Sequence, residues 1–326
     1  CKLLFVKNTL KIYRSLPRHD SHSPSAVTIG NFDGVHRGHQ TILARVAHIA
    51  AQRQLASTVM TFHPHPRVYF ARKGNRPELM PTQISSLRDK VWGINRLNIQ
   101  QFALLRFNEA LANLTADEFV EHMLIQGLNT RWLLVGEDFR YGHKRLGDIE
   151  HLRRAGRRNG FEVEIITDVV DEHGHRISSS EVRTALAVGN LERAAHLLGH
   201  PYRISGHVVH GKKLGRTLGY PTLNVRVPQL CAARSGIYVV QAYGLTAQPL
   251  NGVASLGVRP TVDEAGRIML EVHLFDCNID AYGKLTRIEF LKFLRDEEKF
   301  PDLPTMTAAI DNDAQRARDY FSLHGL

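Results

Sequence analysis

Two hydrophobic periods that cannot share one sheet divide this 326-residue chain near residue 200. Before that point, short apolar runs alternate with stretches whose apolar residues recur every three or four positions. That is the pattern of a parallel sheet covered by helices. Beyond it, short strand-like runs follow one another across Gly and Pro turns with no helical stretch between them, the pattern of a small antiparallel barrel. In the first half, 25–30, 58–62, 101–105, 132–136 and 161–166 read as strands, and 39–54, 84–97, 148–158 and 180–198 as helices. Pro64 and Pro66 stop the second strand, and Thr115 with Glu118 forms a capping box that opens a further helix. In the second half, six strands are expected at 202–210, 223–227, 236–243, 250–256, 269–276 and 285–294, with a last amphipathic helix at 306–321. The expected class is α/β plus β: a Rossmann-like parallel-sheet domain over residues 1–199, then a six-stranded antiparallel barrel with a terminal helix over 200–326. Trp92 and Trp132 are expected in the core.

Charge narrows the partners. Lys and Arg number 42 against 32 Asp and Glu, a formal charge of +10, which favours nucleic acid or phosphorylated small molecules. No apolar run approaches the roughly 18–20 residues of a membrane span, and the first seven residues are too short and charged for a secretory signal. The three cysteines, Cys1, Cys231 and Cys277, have no metal spacing and cannot build a disulfide framework, so a cytoplasmic setting is expected. Asp171-Glu-His-Gly-His175 looks like a metal cluster, but its place between a strand and Ile177-Ser-Ser reads as a polar turn. Arg153, Arg154, Arg157 and Arg158 fall on one helical face and read as solvated.

The sharpest local signal is Thr28-Ile-Gly-Asn-Phe-Asp-Gly-Val-His-Arg-Gly-His39. It runs from a strand into a helix start, where unpaired N–H groups and the helix dipole favour anions. His36 and His39 can donate to a triphosphate there, and Gly38 lets backbone approach closely. The same pair at i, i+3 would also suit a metal, or two solvated histidines; the flanking strand and helix favour phosphate. The stretch resembles the His-x-Gly-His signature of nucleotidyltransferases, and in its longer form the FAD-synthetase branch. Thr61-Phe-His-Pro-His-Pro66, Val135-Gly-Glu-Asp-Phe-Arg-Tyr-Gly142 and Ile177-Ser-Ser-Ser-Glu-Val-Arg183 resemble further motifs of that branch, in the same order. Taken singly, each has a plainer reading: a strand breaker, core aromatics, or a helix N-cap.

Gly206 to Asn224 is the second signal: glycines beside Lys212, Lys213 and Arg216, ending in Pro221-Thr-Leu-Asn224. A basic glycine loop can wrap phosphates, although hairpin turns use the same residues. The ending resembles the riboflavin-kinase Pro-Thr-Ala-Asn motif, with Leu223 in place of Ala. Gly252 to Thr261, Met269-Leu-Glu-Val-His-Leu-Phe-Asp276 and Arg295-Asp-Glu-Glu-Lys-Phe300 resemble further blocks of that family. Alone, Glu271 and His273 would read as outward polar residues of an alternating strand.

Together the blocks resemble the bifunctional bacterial riboflavin kinase/FAD synthetase family, from about residue 25 to 321. The resemblance implies an enzyme that phosphorylates riboflavin to FMN with ATP, giving ADP, and adenylylates FMN to FAD, giving pyrophosphate. It implies catalytic roles for His36, His39, Arg183 and Glu271, the last as general base toward the ribityl 5′-hydroxyl. Nucleotide contacts are implied for Gly30, Asp33, Gly38, Ser179, Ser180, Gly211, Lys212, Gly215 and Gly219, and flavin contacts for Phe62, Pro66, Asp138 and Phe139. Thr222 and Asn224 are implied as Mg²⁺ ligands, with ATP as co-substrate. Because the FMN phosphate is already an anion, adenylyl transfer needs positioning and charge neutralisation rather than a protein base. Two alternatives stand beside this: a single-function nucleotidyltransferase, which leaves Pro-Thr-Leu-Asn unexplained, and a basic nucleic-acid-binding regulator. The chain has no stacking-aromatic or recognition-helix motif for the latter. Oligomeric state is left open.

Overall fold

The computed structural model describes residues 10–16, 23–210, 220–258, 268–277 and 279–326. It divides into two compact units, a sheet unit of residues 2–81 and 90–177 and a barrel unit of residues 82–89 and 178–326. In the sheet unit the strands are β1 (Lys11–Tyr13), β2 (Ser25–Ile29), β3 (Ala56–His63), β4 (Gln101–Arg106), β5 (Thr130–Gly136) and β6 (Glu162–Ile166). They form one sheet in the order β1-β4-β3-β2-β5-β6, every neighbouring pair parallel. Both faces are covered, as an all-parallel sheet requires. Val27, Ile29, Met60, Leu133 and Val135 pack into one core and Ala26, Val59, Phe102, Trp132 and Leu134 into the other.

Helix α1 (Arg37–Gln52) buries Leu43, Val46, Ile49 and Ala50 on one side, the 3–4 spacing that marked it in sequence. Next come α2 (Pro66–Lys73), α3 (Leu87–Asn95), α4 (Glu109–Asn113) and α5 (Ala116–Phe119), which continues into a π-helical stretch over Val120–Gly127. The Thr115/Glu118 capping box is present at α5. Helix α6 (Ile149–Asn159) starts from an Asp148 N-cap. Its arginines face solvent, with Arg154 and Arg157 near Glu150 and Arg158 paired to Asp117.

The barrel unit begins with α7 (Ser179–Ala187) and α8 (Leu191–Leu198), where one continuous helix over 180–198 was expected. Gly189 turns at φ 75°, and the Asn190 side chain accepts from Arg193 N at 2.9 Å. A flexible glycine followed by a good N-cap restarts the helix rather than continuing it. Strands β7 (Tyr202–Val209), β8 (Thr222–Arg226), β9 (Gly236–Tyr243), β10 (Leu250–Val258), β11 (Ile268–Leu274) and β12 (Leu285–Arg295) then close an antiparallel barrel in the order β10-β11-β8-β7-β12-β9. Helix α9 (Leu303–His324) lays Ala314, Ala317 and Phe321 on Val239, Val253 and Phe275. That covering explains why consecutive residues of β9 are buried instead of alternating. Segment 82–89 packs within this unit: Ala232 N donates to Gln83 O at 2.9 Å, and Ser205 N to Asp89 Oδ2 at 3.2 Å.

Two further differences from the sequence reading have local causes. Pro66 does not merely end β3; it occupies the first turn of α2 behind an N-cap at His65, a position where its missing N–H costs nothing. Strand β1 is three residues of edge pairing to β4, too short for a periodic signal. Trp132 is fully buried, while Trp92 is half-buried beneath the Arg96 guanidinium, 4.6 Å from its ring. The Asp171–His175 stretch is a turn: buried Asp171 accepts from His173 N and His175 N at 3.0 and 2.9 Å. Among the described residues no cluster of three or more His, Cys, Asp or Glu could hold a metal ion, and no helix is long and apolar enough to cross a membrane.

The end of β12 is tied to α9 by the Arg295 fork, whose Nη2 stands 2.7 Å from the buried Asp313 carboxylate. Asp313→Ala removes the buried partner, leaves that guanidinium to the more exposed Glu298, and is expected to lower unfolding stability by about 2–4 kcal/mol. Urea unfolding followed by far-ultraviolet circular dichroism checks the value.

Candidate functional site

In the sheet unit β3, β2 and β5 are neighbours running the same way, so the loops after them leave from one edge. The chain builds outward from β2 through β3 to β4, then returns to β2's other side with β5. The order reverses there, between β2 and β5, and at such a switch point the carboxyl ends of the strands leave an open crevice.

The loop after β2 supplies one wall. Phe32, Gly34 and Val35 all take positive φ (47°, 81° and 43°), a costly conformation for a β-branched residue such as Val35. The turn is held from three sides. Gln40 Nε2 donates to Val35 O at 2.9 Å, Lys90 Nζ to Asn31 O at 2.6 Å, and Gly30 N to Met60 O at 3.1 Å. Asp33 is buried within it, and Asn31 Oδ1 is a buried acceptor with no protein donor. A ligand N–H or O–H could satisfy that acceptor.

The turn delivers His36 as the N-cap of α1, 5% exposed, its Nδ1 accepting from His39 N at 3.3 Å. That bond leaves Nε2 as the protonated, donating nitrogen. The His36 and His39 rings stack at 3.7 Å, so the two imidazoles act from one place at the helix N-terminus. Gly38 keeps the space between them close: a Cβ there would stand 3.0 Å from Ile177 O and 3.2 Å from the His36 ring and would crowd both.

Of the candidates along β3 and β5, Phe62 and Phe139 are half-buried and pack against the core beneath the crevice. Asp138 is exposed beyond β5, and Pro66 starts α2. Tyr141 is buried, with its ring stacked near Phe139 at 5.5 Å and its hydroxyl 2.7 Å from His151 Nδ1; burial raises the Tyr141 hydroxyl's pKa well above its ordinary value. Two residues escaped the sequence reading. Phe107 meets Phe62 edge to face at 5.7 Å, and Lys90 reaches back to the β2 loop from α3. Neither lies in a motif; only the packing of β3, β4 and α3 shows them.

Ser179, Ser180 and Arg183 fold with the barrel unit on α7. The N-cap is Ser178, whose Oγ accepts from Glu181 N at 3.3 Å, which leaves Ser179 and Ser180 in the first turn. Arg183 Nε donates to Thr82 O at 2.7 Å.

On the barrel, the register places Asn224 of β8 directly across from Glu271 of β11, and Thr222 across from His273. Thr222 and Asn224 share one strand face, with Leu223 on the other. Asn224 is buried and Glu271 half-buried. On its other flank Glu271 pairs with Ser255 of β10. His273 Nδ1 lies 3.1 Å from Pro221 O, which joins the start of β8 to the end of β11. Gly211, Lys212, Gly215 and Gly219 lie outside the described residues.

The comparisons with known proteins follow the same division. A family model described as FAD synthetase matches residues 18–181, and one described as riboflavin kinase matches 198–321. The chain is 42% identical over 298 residues to the bifunctional riboflavin kinase/FMN adenylyltransferase of Escherichia coli K12, covering 91% of this chain and 93% of that protein. It is 38% identical to the Haemophilus influenzae enzyme of the same name over 297 residues, 91% of this chain and 94% of the other. Among solved structures, a Streptococcus pneumoniae protein described as a macrolide-efflux protein superposes with a TM-score of 0.77 at 30% identity, over 95% of this chain and 99% of that one.

His63, at the end of β3, provides an electrostatic check on the crevice. Burial, with Lys90 and Arg72 nearby, lowers its pKa below 6.5. The imidazole is therefore mainly neutral at pH 7, and folding stability declines as the pH falls below 6.5 through the depressed folded value, because the unfolded chain takes up the proton first. An NMR titration should find the midpoint below 6.5, and Lys90→Met should move it upward, because one repelling charge is removed.

Proposed function

The chain belongs to the bifunctional riboflavin kinase/FMN adenylyltransferase family, and from that premise we propose which residues carry its two reactions. The enzyme phosphorylates riboflavin to FMN with ATP and adenylylates FMN to FAD, releasing pyrophosphate. One observation carries this reading: two family matches cover the chain in succession, the first taking in the His36/His39 stretch and the second Thr222, Asn224 and Glu271. They also set aside the single-function and nucleic-acid-binding alternatives. We assign adenylylation to residues 1–199 and kinase activity to 200–326; the first match ends at residue 181 and the second begins at 198, close to that division.

For adenylyl transfer we assign His36 and His39 to the ATP phosphates. The two imidazoles stand at the positive end of α1 and can donate to charge that builds on the α-phosphate and the departing pyrophosphate. Gly30, Asp33 and Gly38 shape the backbone beneath. Ser179, Ser180 and Arg183 are assigned to the phosphates as a hydroxyl pair and a fork donor. Phe62, Pro66, Asp138 and Phe139 are assigned to the flavin. The incoming phosphate of FMN already carries the attacking charge, so positioning and neutralisation are the whole task.

For phosphoryl transfer, Glu271 is assigned as the base that takes the proton of the ribityl 5′-hydroxyl as that oxygen attacks the γ-phosphate. Gly211, Lys212, Gly215 and Gly219 are assigned to the ATP phosphates on sequence alone. Thr222 and Asn224 offer neutral oxygen donors on one face, the donor type that Mg²⁺ takes with substrate phosphates. These residues would hold the ion, which when bound neutralises charge on the transferring group. The free thiols of Cys231 and Cys277 suit a cytoplasmic enzyme.

The two sites should be separable. Asn224→Ala or Glu271→Ala is expected to reduce FMN formation by 100-fold or more (about 10²–10⁴, the usual contribution of a positioned base) while FMN-to-FAD conversion persists. His36→Ala or His39→Ala should do the reverse. Chromatography of the flavins after incubation with ATP and Mg²⁺, starting from riboflavin or from FMN, checks both. Loss of both activities in one folded variant would contradict independent sites.

A further inference from the structure

Beyond β12 the chain turns back across β10. Arg295 Nη1 donates to Asp296 O at 2.9 Å while its fork grips Asp313, which fixes the backbone just before Glu297. The Glu297 carboxylate then makes two contacts on β10. Its Oε1 accepts from Ser255 Oγ at 3.0 Å, and it lies so closely on Gly257 that a Cβ there would overlap it. Burial, reinforced by the neighbouring Glu271, holds the Glu297 carboxyl above its ordinary range. The Ser255 hydroxyl that Glu297 engages lies directly across from Glu271, so the two carboxylates flank one position of β10.

Ser255 is the directly opposed cross-strand partner of Glu271, and such partners stand with Cβ atoms about 4.5–5.5 Å apart. A free hydroxyl at that position would donate to the Glu271 carboxylate and draw it toward β10. Asn224, with the face assigned to the ATP phosphates, lies on the opposite flank. Glu297 blocks that excursion twice: it engages the Ser255 hydroxyl, and its own negative charge repels Glu271 from the β10 side.

We propose that Glu297 is a positioning residue of the riboflavin kinase reaction, acting through Ser255 to keep the Glu271 carboxylate turned toward Asn224 and the nucleophilic hydroxyl. The inference rests on the assignment of Glu271 as the base. It gives Gly257 a reason as well, since any side chain there would displace the Glu297 carboxylate.

The test is a steady-state comparison of FMN formation in the full-length enzyme, with FMN-to-FAD conversion by the same preparation as internal reference. Glu297→Ala should lower kcat about tenfold, with the riboflavin KM changed less than about twofold, the pattern of a group that acts on the chemical step. Glu297→Gln keeps an acceptor for Ser255 and should retain most of the kcat. Adding Ser255→Ala to Glu297→Ala removes the competing donor and should recover at least half of the loss on a logarithmic scale, a coupling that a double-mutant cycle reads directly. Wild-type kcat in Glu297→Ala would overturn the proposal. So would a double variant no faster than Glu297→Ala, or a KM that rises in step with the fall in kcat. Glu271→Gln is measured alongside. If that variant turns over normally, the base assignment fails and the inference with it; if it is inactive while Glu297→Ala is normal, only the inference fails.

Discussion

Backbone hydrogen bonding between neighbouring strands fixes register, and both sites depend on it. In the sheet unit, parallel pairing of β3, β2 and β5 brings the ends of three strands to one edge, so the loops after residues 29, 63 and 136 leave from the same side of the sheet. In the barrel, antiparallel pairing of β8, β11 and β10 sets Asn224, Glu271 and Ser255 in a row. A slip of one residue in either ladder would turn those side chains to the opposite face. The geometry of the proposed sites is thus bound to the same bonds that hold the fold, because the candidate groups sit on or beside strands.

The turn after β2 shows how local strain is maintained. A buried Val35 in the left-handed region costs on the order of 1–3 kcal/mol, and the surrounding structure must supply it. Gln40, Lys90 and the β3 backbone each hold a carbonyl or N–H of that turn. The consequence is a histidine pair stacked at a helix N-terminus, with neither ring left to find its own orientation. On the barrel the comparable device is the Arg295–Asp313 pair, which anchors the chain where Glu297 crosses β10.

Much of this was legible in advance because its causes are local. The α1 stripe, the Thr115 capping box, the six barrel strands and the His-x-Gly-His block each follow from residues within one element. What escaped had causes elsewhere. Pro66 reads as a breaker until a helix follows it, and Gly189-Asn190 divides a pattern whose apolar spacing continues across the break. Lys90 and Phe107 lack any motif, since their meaning comes from neighbours 59 and 45 positions away, at Asn31 and Phe62. Glu297 was visible only as part of a terminal block; its partner Ser255 lies 42 residues earlier.

The amino-acid sequence by itself determined the two-part architecture and the family, and suggested the residue types proposed for both sites, because hydrophobic period and short motifs are properties of neighbouring residues. Tertiary structure alone decided which of those residues stand together: Asn224 beside Glu271, Ser255 between Glu271 and Glu297, Lys90 on the β2 turn. It also assigned α7 and α8 to the barrel unit by packing, although their helical pattern reads on from the first half. The physical reason is the same throughout. Pairing across strands and packing between elements join residues far apart in the chain, and no local pattern encodes the partner.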